Sequence, residues 1–522
     1  MKLEGKLELT WVGKNEEIKL EPRILVEDKS KSYGDPNSEN MLIHGDNLLA
    51  LKALEKDFAG KIKCIYIDPP YNIDAAGVPY EDNIEHSLWL NMMFTRISML
   101  KNLLSEDGAI FIQIDDHEMA YLKILCDEVF NRKNYICTIA LKVSPPNGVK
   151  MAHATKTVLK EKELILLYCK DKEKFTINPQ YTEAKAWDDH YNKYIRGDLS
   201  NLESCEVLSM KDVLKQEGLT ANLNDVKFMS WMINNKERIF QPVGLAKIKG
   251  IDKYNTEKIV PIEGMNDYYA YKGAQVQKIS KMIKKVGGKE TYVKLLCDLW
   301  TDIGFNNLFQ EGDVEFKNSK KPEKLIQRCF ELCSTEGDFV LDSFLGSGTS
   351  TAVAHKMNRK WIGIELGEHA YTLCKKRMDS VIDGLDYKGI SKEYNWQGGG
   401  GYKFYELAES LLVKNDKLPI YQINPNYTFE MICEAICKIE GFDYKQEGSF
   451  HGKSSENRFI HITTEFVNAE YIKTLSKELS EKQSLLIYST KFATDLRLPD
   501  NIVVKKIPED LLKKCKFESE VR

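Results

Sequence analysis

Short runs of consecutive hydrophobic residues recur along the chain, separated by longer amphipathic or polar stretches. In the first third they cover Cys64–Ile67, Ala109–Asp115 and Glu163–Cys169, and in the last third Asp338–Leu341 and Lys360–Glu365. Continuous apolar runs of about four to eight residues are typical of strands buried on both faces of a parallel sheet. Because these strands alternate with helical stretches, the pattern predicts an α/β fold with a doubly wound, mostly parallel, Rossmann-like sheet.

The two sets of strands are separated by a long stretch of weak periodicity with many polar runs. We therefore predict a polar N-terminal extension, two halves of one sheet domain that flank an insertion, and a small C-terminal α/β domain. The last begins at four glycines, which mark either a linker or a tight turn. The expected boundaries are 1–40, 41–145, 146–300, 301–397 and 398–522, with residues 146–300 holding a final sheet strand before the insertion.

Composition is that of an ordinary soluble protein, with 522 residues, 43% hydrophobic and 29% charged. No apolar run approaches the ~20 residues of a membrane span, and Met1–Gly5 does not begin a secretory signal. The 12 cysteines include no Cys-x-x-Cys pair and no histidines that complete a zinc set. We expect a cytoplasmic protein with reduced thiols, no metal site and no membrane partner.

The net charge of −4 conceals an uneven distribution. Residues 146–300 contain 26 basic and 20 acidic side chains, so the rest of the chain carries about −10. Lysines between 247 and 289 alternate with Tyr254, Tyr268, Tyr269 and Tyr271. This pattern fits either a solvated face or a nucleic-acid contact.

The run Cys64–Ile67 leads directly into Asp68-Pro69-Pro70-Tyr71. The prolines fix the backbone and carry no N–H, so we expect the carbonyls around them to face a cavity as free acceptors. Asp68 adds a carboxylate acceptor and Tyr71 a stacking face, which together suit a planar base that carries an amino group. The alternative is a simple Pro-Pro turn after a core strand.

A second motif begins at the strand that ends in Asp342. A turn with Gly346 and Gly348 follows, then a predicted helix, then a strand that ends in Glu365 about 20 residues beyond the glycines. This order is typical of an adenosine-containing cofactor, with the acid on the ribose hydroxyls. A third glycine is missing and Asp342 would repel a pyrophosphate, so a cationic cofactor such as S-adenosylmethionine is favoured over the nicotinamide of a dehydrogenase.

With these two motifs the chain resembles the β class of DNA adenine amino-methyltransferases, and within it the modification (Mod) subunits of type III restriction-modification systems. The resemblance covers about residues 40 to 405. Besides the two motifs, it is carried by Leu42–Leu48, Trp89–Met93, Leu104–Phe111, Ile114–Asp116, Lys321–Glu323 and Gly398–Tyr405.

The resemblance implies methyl transfer from S-adenosyl-L-methionine to N6 of a flipped adenine, on a sheet whose motif order is circularly permuted. Aspartate at the first motif position favours adenine N6; cytosine N4 and a non-catalytic DNA-recognition subunit remain the alternatives. The implied catalytic residues are Asp68, Pro69, Pro70 and Tyr71. The implied cofactor-binding residues are Asp46, Lys321, Asp342, Phe344, Gly346, Gly348, Thr349 and Glu365. Asp46 could equally be a helix N-cap, and the two roles are compatible.

The resemblance also assigns roles to the segments. It implies that residues 41–145 form the catalytic half of the sheet domain and that residues 301–397 form its cofactor-binding half. The insertion within residues 146–300 is then the target-recognition region. The expected partners are double-stranded DNA, a second copy of the chain and a helicase–nuclease restriction subunit. Residues 398–522 are the candidate surface for the two protein partners.

Overall fold

The structure is a computed structural model that describes residues 8–15, 19–73, 85–143, 155, 158–286, 288–305, 308, 311–312, 320–415, 417–455 and 457–517. The chain divides into two compact units. Unit 1 comprises Met1–Asn178 with Asp298–Arg522, and unit 2 comprises Pro179–Cys297. Unit 2 lies within residues 146–300, the segment in which the sequence leads us to expect an insertion.

The first part of unit 1 alternates strands with helices. The strands are β1 (Leu25–Glu27), β2 (Tyr33–Gly34), β3 (Met41–His44), β4 (Ile62–Ile67), β5 (Leu104–Ile114), β6 (Tyr135–Lys142) and β7 (Lys162–Cys169). The helices are α1 (Asn47–Phe58), α2 (His86–Leu103) and α3 (Met119–Phe130).

Unit 2 has its own sheets and its own hydrophobic cores. Its strands are β8 (Tyr181–Glu183), β9 (Lys193–Arg196), β10 (Glu206–Ser209), β11 (Ile239–Val243), β12 (Val260–Pro261), β13 (Tyr269–Tyr271), β14 (Ala274–Lys278), β15 (Ile283–Val286) and β16 (Lys289–Leu295), with helices α4 (Met210–Gln216) and α5 (Val226–Asn234). One sheet has the order β10-β9-β11-β14-β13-β12 and the other β15-β16-β8. Phe228 and Met232 of α5 are fully buried in the cluster beneath them.

The remainder of unit 1 completes the large sheet and adds a smaller one. Its strands are β17 (Leu299–Trp300), β18 (Phe339–Asp342), β19 (Lys360–Glu365), β20 (Gly401–Leu407), β21 (Leu412–Lys414), β22 (Tyr421–Ile423), β23 (Asp443–Glu447), β24 (Phe450–Ser455), β25 (Arg458–Val467), β26 (Ser484–Phe492) and β27 (Ile502–Lys506). Its helices are α6 (Glu323–Cys333), α7 (Thr349–Lys356), α8 (Lys376–Ile382), α9 (Phe429–Glu440), α10 (Ala469–Ser476) and α11 (Glu509–Leu512).

The large sheet runs β1-β20-β3-β19-β18-β4-β5-β7-β6-β17, with β2 also paired to β20. Strands β20, β3, β19, β18, β4 and β5 are mutually parallel, and β7 runs antiparallel between β5 and β6. Helices α1 and α2 cover the sheet through residues such as Leu51, Trp89 and Ile97, which are fully buried. The doubly wound, mostly parallel α/β sheet predicted from the apolar runs is confirmed.

The structure departs from the expected sheet boundary at the glycine run. Strand β20 begins at Gly401 and lies beside β3 in the large sheet, with Phe404 paired to Leu42. Gly401 must pass so close to the backbone of Tyr33 and Asp35 that a Cβ would lie 2.2 Å from the Asp35 nitrogen. The glycines therefore mark a close backbone approach inside the sheet domain, and the expected boundary at 398 falls before its last strand.

The smaller sheet of unit 1 has the order β23-β24-β25-β26-β27. Helix α9 packs on it through Ile432 and Ile436, and α10 through Ile472 and Leu475. Among the helices of the described ranges, none combines the length and the hydropathy that a membrane span requires.

Candidate active site

The two sequence motifs meet at the carboxyl edge of the large sheet. Strands β4 and β18 are parallel neighbours, with Cys64 paired to Val340 and Ile65 to Leu341. From β4 the chain continues to β5 on one side, and from β18 to β19 on the other. The order of strands therefore reverses between β4 and β18, and open α/β sheets bind ligands in the crevice at such a point.

Asp68 follows β4 and forms the centre of a compact polar cluster. Its Oδ1 accepts a hydrogen bond from the Tyr71 hydroxyl at 2.6 Å, and its Oδ2 lies 3.3 Å from Lys321 Nζ. Lys321 Nζ also donates to the Tyr71 hydroxyl at 3.0 Å and lies over the Tyr71 ring, 5.1 Å from its centroid. The structure thus brings together Asp68, Tyr71 and Lys321, which the sequence assigned to two different roles.

Glu163, at the start of β7, is a member of this cluster that sequence reasoning missed. Its Oε2 lies 3.2 Å from Lys321 Nζ and 3.2 Å from the Tyr71 hydroxyl. The amide of Gln113 on β5 donates to the same oxygen at 2.5 Å, and the Tyr66 hydroxyl on β4 donates to Gln113 Oε1 at 2.5 Å. The one sequence signal for it is an acidic residue in front of the apolar run Leu164–Cys169.

The protonation of the cluster follows from burial and from the shared ammonium group. Burial raises the pKa of Asp68, although Lys321 acts against this effect. Burial acts in the same sense on Glu163, but Lys321 and the Gln113 amide outweigh it and lower the Glu163 pKa. For Lys321, burial disfavours the ammonium form, yet Asp68 and Glu163 together raise its pKa above the usual value. The cluster therefore holds a charged lysine between two carboxyl groups.

The Pro-Pro turn is rigid, but its carbonyls are not all free. The fully buried indole of Trp89 donates from Nε1 to the Pro70 carbonyl at 2.9 Å. The expectation of uncontested carbonyls is thus wrong for Pro70. Asn72 follows with a φ of +56° and donates from Nδ2 to Glu118 Oε1 at 2.9 Å. These two contacts hold the turn on both sides of Tyr71.

The glycine turn lies at the end of β18, beside the Asp68 cluster. Gly346 and Gly348 have φ of +58° and +76°, and a Cβ on Gly348 would lie 3.2 Å from Cys374 Cα. Glu365 Oε2 accepts from the Gly346 amide at 2.7 Å, and its Oε1 accepts from the Gly367 amide at 3.0 Å. Glu365, expected to meet a ribose, thus fixes the backbone of the turn itself.

Asp342 is buried beneath this turn. Its Oδ1 accepts from the Phe344 amide at 2.9 Å and its Oδ2 from the Ser350 hydroxyl at 2.6 Å. Burial raises the pKa of Asp342 to about 7, because these two hydrogen bonds only partly offset the loss of water. Next to it, the buried Ser343 hydroxyl has no hydrogen-bond partner within the described part of the chain. A cationic ligand at this position would favour the ionised form of Asp342.

Asp46 is the N-cap of α1, as one of the two sequence interpretations held. Its Oδ1 accepts from the Leu49 amide at 3.0 Å, and its Oδ2 lies 3.2 Å from the Arg96 guanidinium. The neighbouring Asn47 donates to the Ser343 carbonyl at 2.7 Å. Through Asn47 the start of α1 is attached to the loop that follows β18.

Thr349 and Glu323 belong to a buried ion network behind the glycine turn. The Thr349 hydroxyl accepts from Arg377 at 2.7 Å, and Arg377 also donates to Glu323 at 2.7 Å. Lys356 Nζ contacts both Glu323 oxygens at 2.9 Å and Asp386 at 2.8 Å. The side chains of Glu323, Lys356 and Arg377 are inaccessible to solvent. This network links the glycine turn to the segment that carries Lys321.

The residues around the glycine turn fit a cationic cofactor better than a phosphate. The turn region contains the Asp342 carboxylate, the Ser343 hydroxyl, which has no hydrogen-bond partner among the described residues, and Gly348, where a side chain would be strained. An anionic phosphate would face Asp342, whereas an ammonium or sulfonium group would be attracted to it. Over the described residues, no three His, Cys, Asp or Glu side chains come together as a metal site. All twelve cysteines are free thiols.

The chain is similar to known DNA methylases in sequence. A family model described as DNA methylase matches residues 62–376. The probable type III restriction-modification enzyme HindVI Mod subunit of Haemophilus influenzae is 38% identical over 416 residues, which cover 73% of this chain and 55% of the relative. The EcoPI Mod subunit of Escherichia phage P1 is 28% identical over 413 residues, covering 67% and 61%. The matches thus span little more than half the length of these relatives.

Among solved structures, the PvuII DNA methyltransferase (cytosine-N4-specific) aligns with a TM-score of 0.36 and 12% identity. The alignment covers 69% of this chain and 92% of that chain.

Proposed function

Since the chain belongs to the N6/N4 DNA methylase family, we propose that it transfers a methyl group from S-adenosylmethionine to the exocyclic amine of a base in double-stranded DNA. One observation carries the proposal. The Asp68 cluster and the glycine turn follow adjacent parallel strands, so a methyl donor and an amine acceptor can occupy one crevice.

The acceptor side of the crevice suits a poorly nucleophilic amine. The lone pair of an aromatic amine is delocalised into the ring, and acceptors on its hydrogens favour a pyramidal nitrogen. Asp68 supplies one acceptor, and the carbonyl of the buried Pro69 is the candidate for a second. Because these groups are fixed before the reaction, they stabilise the charge that develops on nitrogen without a reorganisation cost. The base would leave the duplex to reach them.

On the donor side, S-adenosylmethionine supplies an electrophilic methyl group when bound. Gly346, Gly348 and Phe344 would form its backbone cradle, and Asp342 would pair with its positive charge. Glu365 would orient the cradle through the Gly346 amide. Asp46 and Thr349 are the further cofactor contacts that we propose, and the Thr349 hydroxyl is held by Arg377.

We further propose adenine N6 as the target. Aspartate at the first position of the Asp-Pro-Pro-Tyr motif and the similarity to Mod subunits favour it over cytosine N4. Nucleoside analysis of methylated DNA decides between them, since N6-methyl-2′-deoxyadenosine and N4-methyl-2′-deoxycytidine separate chromatographically.

The test of the function is Asp68→Ala, assayed with tritiated cofactor on unmodified double-stranded DNA. We expect the wild type to incorporate label and the variant to lose incorporation while it still binds DNA and cofactor. Asp107→Ala is the matched control, because Asp107 is half exposed, lies near the start of β5 away from the Asp68 cluster, and its side chain contacts Lys63 and Ser105 among the described residues. Full methyl transfer by the Asp68→Ala variant would refute the proposed mechanism.

Unit 2 carries the surface that we propose contacts DNA. Six lysines and one glutamate fall between residues 278 and 294. Lys281, Lys284, Lys285 and Lys289 form no salt bridge with any described carboxylate, and Lys284 lies over the Tyr181 ring at 5.1 Å. By contrast, Lys253 and Lys272 are already paired with Glu263 and Glu257. The free ammonium groups are therefore the ones available to phosphates.

The similarity to Mod subunits supports two protein partners, a second copy of this chain and a restriction subunit. We propose the smaller sheet of unit 1 as the docking region for the second copy, where Phe466 is 55% exposed. Light scattering of the full chain should give the mass of a dimer, and Phe466→Glu should reduce it to a monomer. Co-purification of the chain with a candidate helicase–nuclease subunit tests the second partner.

A further inference from the structure

We propose that Glu163 is a positioning residue that sets the charge of the active site. It neutralises Lys321, so that Asp68 retains one uncompensated negative charge where the target amine becomes cationic. This inference rests on the proposed methyl transfer.

The geometry places Lys321 between two carboxylates. Its Nζ lies 3.2 Å from Glu163 Oε2 and 3.3 Å from Asp68 Oδ2. Only 12% of the Lys321 side chain and 19% of each carboxylate side chain is exposed. With so little water to screen them, the three charges strongly affect one another and any cation brought beside them.

Hydrogen bonds within the sheet fix the position of the Glu163 carboxylate. Gln113 is fully buried on β5 and donates to Glu163 Oε2, and Gln113 is in turn held by Tyr66 on β4. The chain of hydrogen bonds crosses three neighbouring strands and ends at Lys321. A glutamate that served only as a solvated surface group would need no such support.

The net charge of the cluster is minus one. Two carboxylates and one ammonium leave −1, which Asp68 presents to the crevice. Without Glu163 the pair Asp68–Lys321 is neutral, and a cation that develops at the amine faces as much positive as negative charge. Removing Glu163 should therefore slow the chemical step more than it weakens the binding of the neutral base.

The step in question forms a bond between the amine nitrogen and the methyl carbon. The carbon–sulfur bond breaks, and its electron pair remains on sulfur. The nitrogen carries a positive charge until it releases a proton to the Asp68 carboxylate, which passes it to water. A site charge of −1 stabilises this cationic nitrogen, and a site charge of zero does not.

The first experiment is single-turnover methylation of mixed, unmodified double-stranded DNA by Glu163→Gln. We expect the rate constant to fall roughly 10- to 100-fold, with the dissociation constants for DNA and cofactor changed less than about threefold. Glu163→Asp keeps the charge and should recover most of the rate. Glu161→Gln is the matched control, since Glu161 is half exposed and lies 3.9 Å from Lys142, its one lysine partner among the described residues.

The second experiment separates charge from structure. The double variant Glu163→Gln, Lys321→Met removes one charge of each sign and restores a site charge of −1. We expect it to react faster than Glu163→Gln alone. A merely structural role for Glu163 predicts the opposite, because the double variant loses two buried contacts.

A pH series gives an independent readout that needs no second substitution. In Glu163→Gln, rising pH removes the proton of Lys321 and brings the site charge from zero back to −1. The deficit relative to wild type should therefore shrink as the pH rises, because the variant lacks one of the two carboxylates that favour the ammonium form of Lys321. In the wild type Asp68 and Glu163 together raise the pKa of Lys321 above its usual value, so its ammonium group persists to higher pH than in the variant.

The outcomes are separable. Wild-type protein without methyl transfer to any DNA refutes the proposed function. Wild-type activity with an unimpaired Glu163→Gln refutes this inference alone. A slow Glu163→Gln whose deficit is constant with pH, and which the Lys321→Met substitution does not relieve, also overturns it.

Discussion

Lowering the pH from about 8 to about 6 should weaken cofactor binding roughly tenfold, because Asp342 takes up a proton in this range. Its pKa in the folded protein is about 7, raised by burial. The group is therefore roughly nine-tenths ionised at pH 8 and one-tenth ionised at pH 6. A cationic cofactor binds the ionised form, so the proton competes with it, and affinity falls as the pH falls through 7.

The magnitude corresponds to about 1.4 kcal/mol of binding free energy. Isothermal titration of S-adenosylmethionine at intervals of half a pH unit measures it directly. Repeating the titration near pH 7 in buffers of different ionisation enthalpy counts the protons, and we expect about half a proton to be released per cofactor bound.

Two variants make the assignment to Asp342 specific. Asp342→Asn should bind more weakly and with no pH dependence in this range. Ser350→Ala removes the hydroxyl that donates to Asp342 Oδ2. This hydrogen bond lowers the Asp342 pKa, so the midpoint should move to higher pH. An affinity that is constant from pH 6 to pH 8, or an equal slope in Asp342→Asn, would refute the reasoning.

Three further predictions concern other parts of the chain. Glu323→Gln leaves the inaccessible Lys356 with one carboxylate fewer and should cost about 3–5 kcal/mol of unfolding free energy in urea. The control Glu393→Gln breaks the half-exposed pair of Glu393 with Lys324 and should cost less than about 1 kcal/mol. Equal losses of unfolding free energy in the two variants would contradict a stabilising role for the buried network. Gly348→Ala should weaken cofactor binding and destabilise more than Gly250→Ala, because both glycines have a φ of +76° but only the first would meet a neighbour, Cys374. Replacing Lys284, Lys285 and Lys289 by Gln should reduce the slope of log affinity for DNA against log salt by about 2 to 3. The same change at the paired Lys253 and Lys272 should leave this salt slope nearly unchanged. An equal reduction of the slope by the two sets of substitutions would argue against the lysine surface of unit 2 as the DNA contact.

The sheet was largely predictable because its central strands are continuous apolar runs. Strands β4, β18 and β19 are buried along almost their whole length, so local sequence alone identifies them. Strand β6 escaped detection, since only Ile139 and Leu141 are fully buried in it and the rest is partly exposed. Strand β20 begins at Gly401, which passes close to the backbone of Asp35, and no local pattern records this approach or the pairing of β20 with β3.

The candidate site was predictable only in its local parts. The motifs around Asp68 and Gly346 can be recognised from the order and spacing of their residues along the chain. Glu163 does not, because its role depends on Lys321, a partner far away in the sequence. Glu323 shows the converse, since a residue in a motif expected near the cofactor lies instead in the buried network with Lys356. Side-chain pairs of this kind depend on the tertiary structure.

The pairing of β4 with β18 has a consequence for biosynthesis. Val340 reaches the ribosomal exit some 276 residues after Cys64, its partner in the sheet. At a translation rate of about 5–20 residues per second, one edge of the apolar strand β4 stays unpaired for roughly 15–55 seconds until β18 has been made. During that interval unit 2 can fold by itself, whereas the sheet around β4 cannot close. We expect the nascent chain to depend on chaperones in this window, and enzymatic activity to arise only once the last third of the chain has been made.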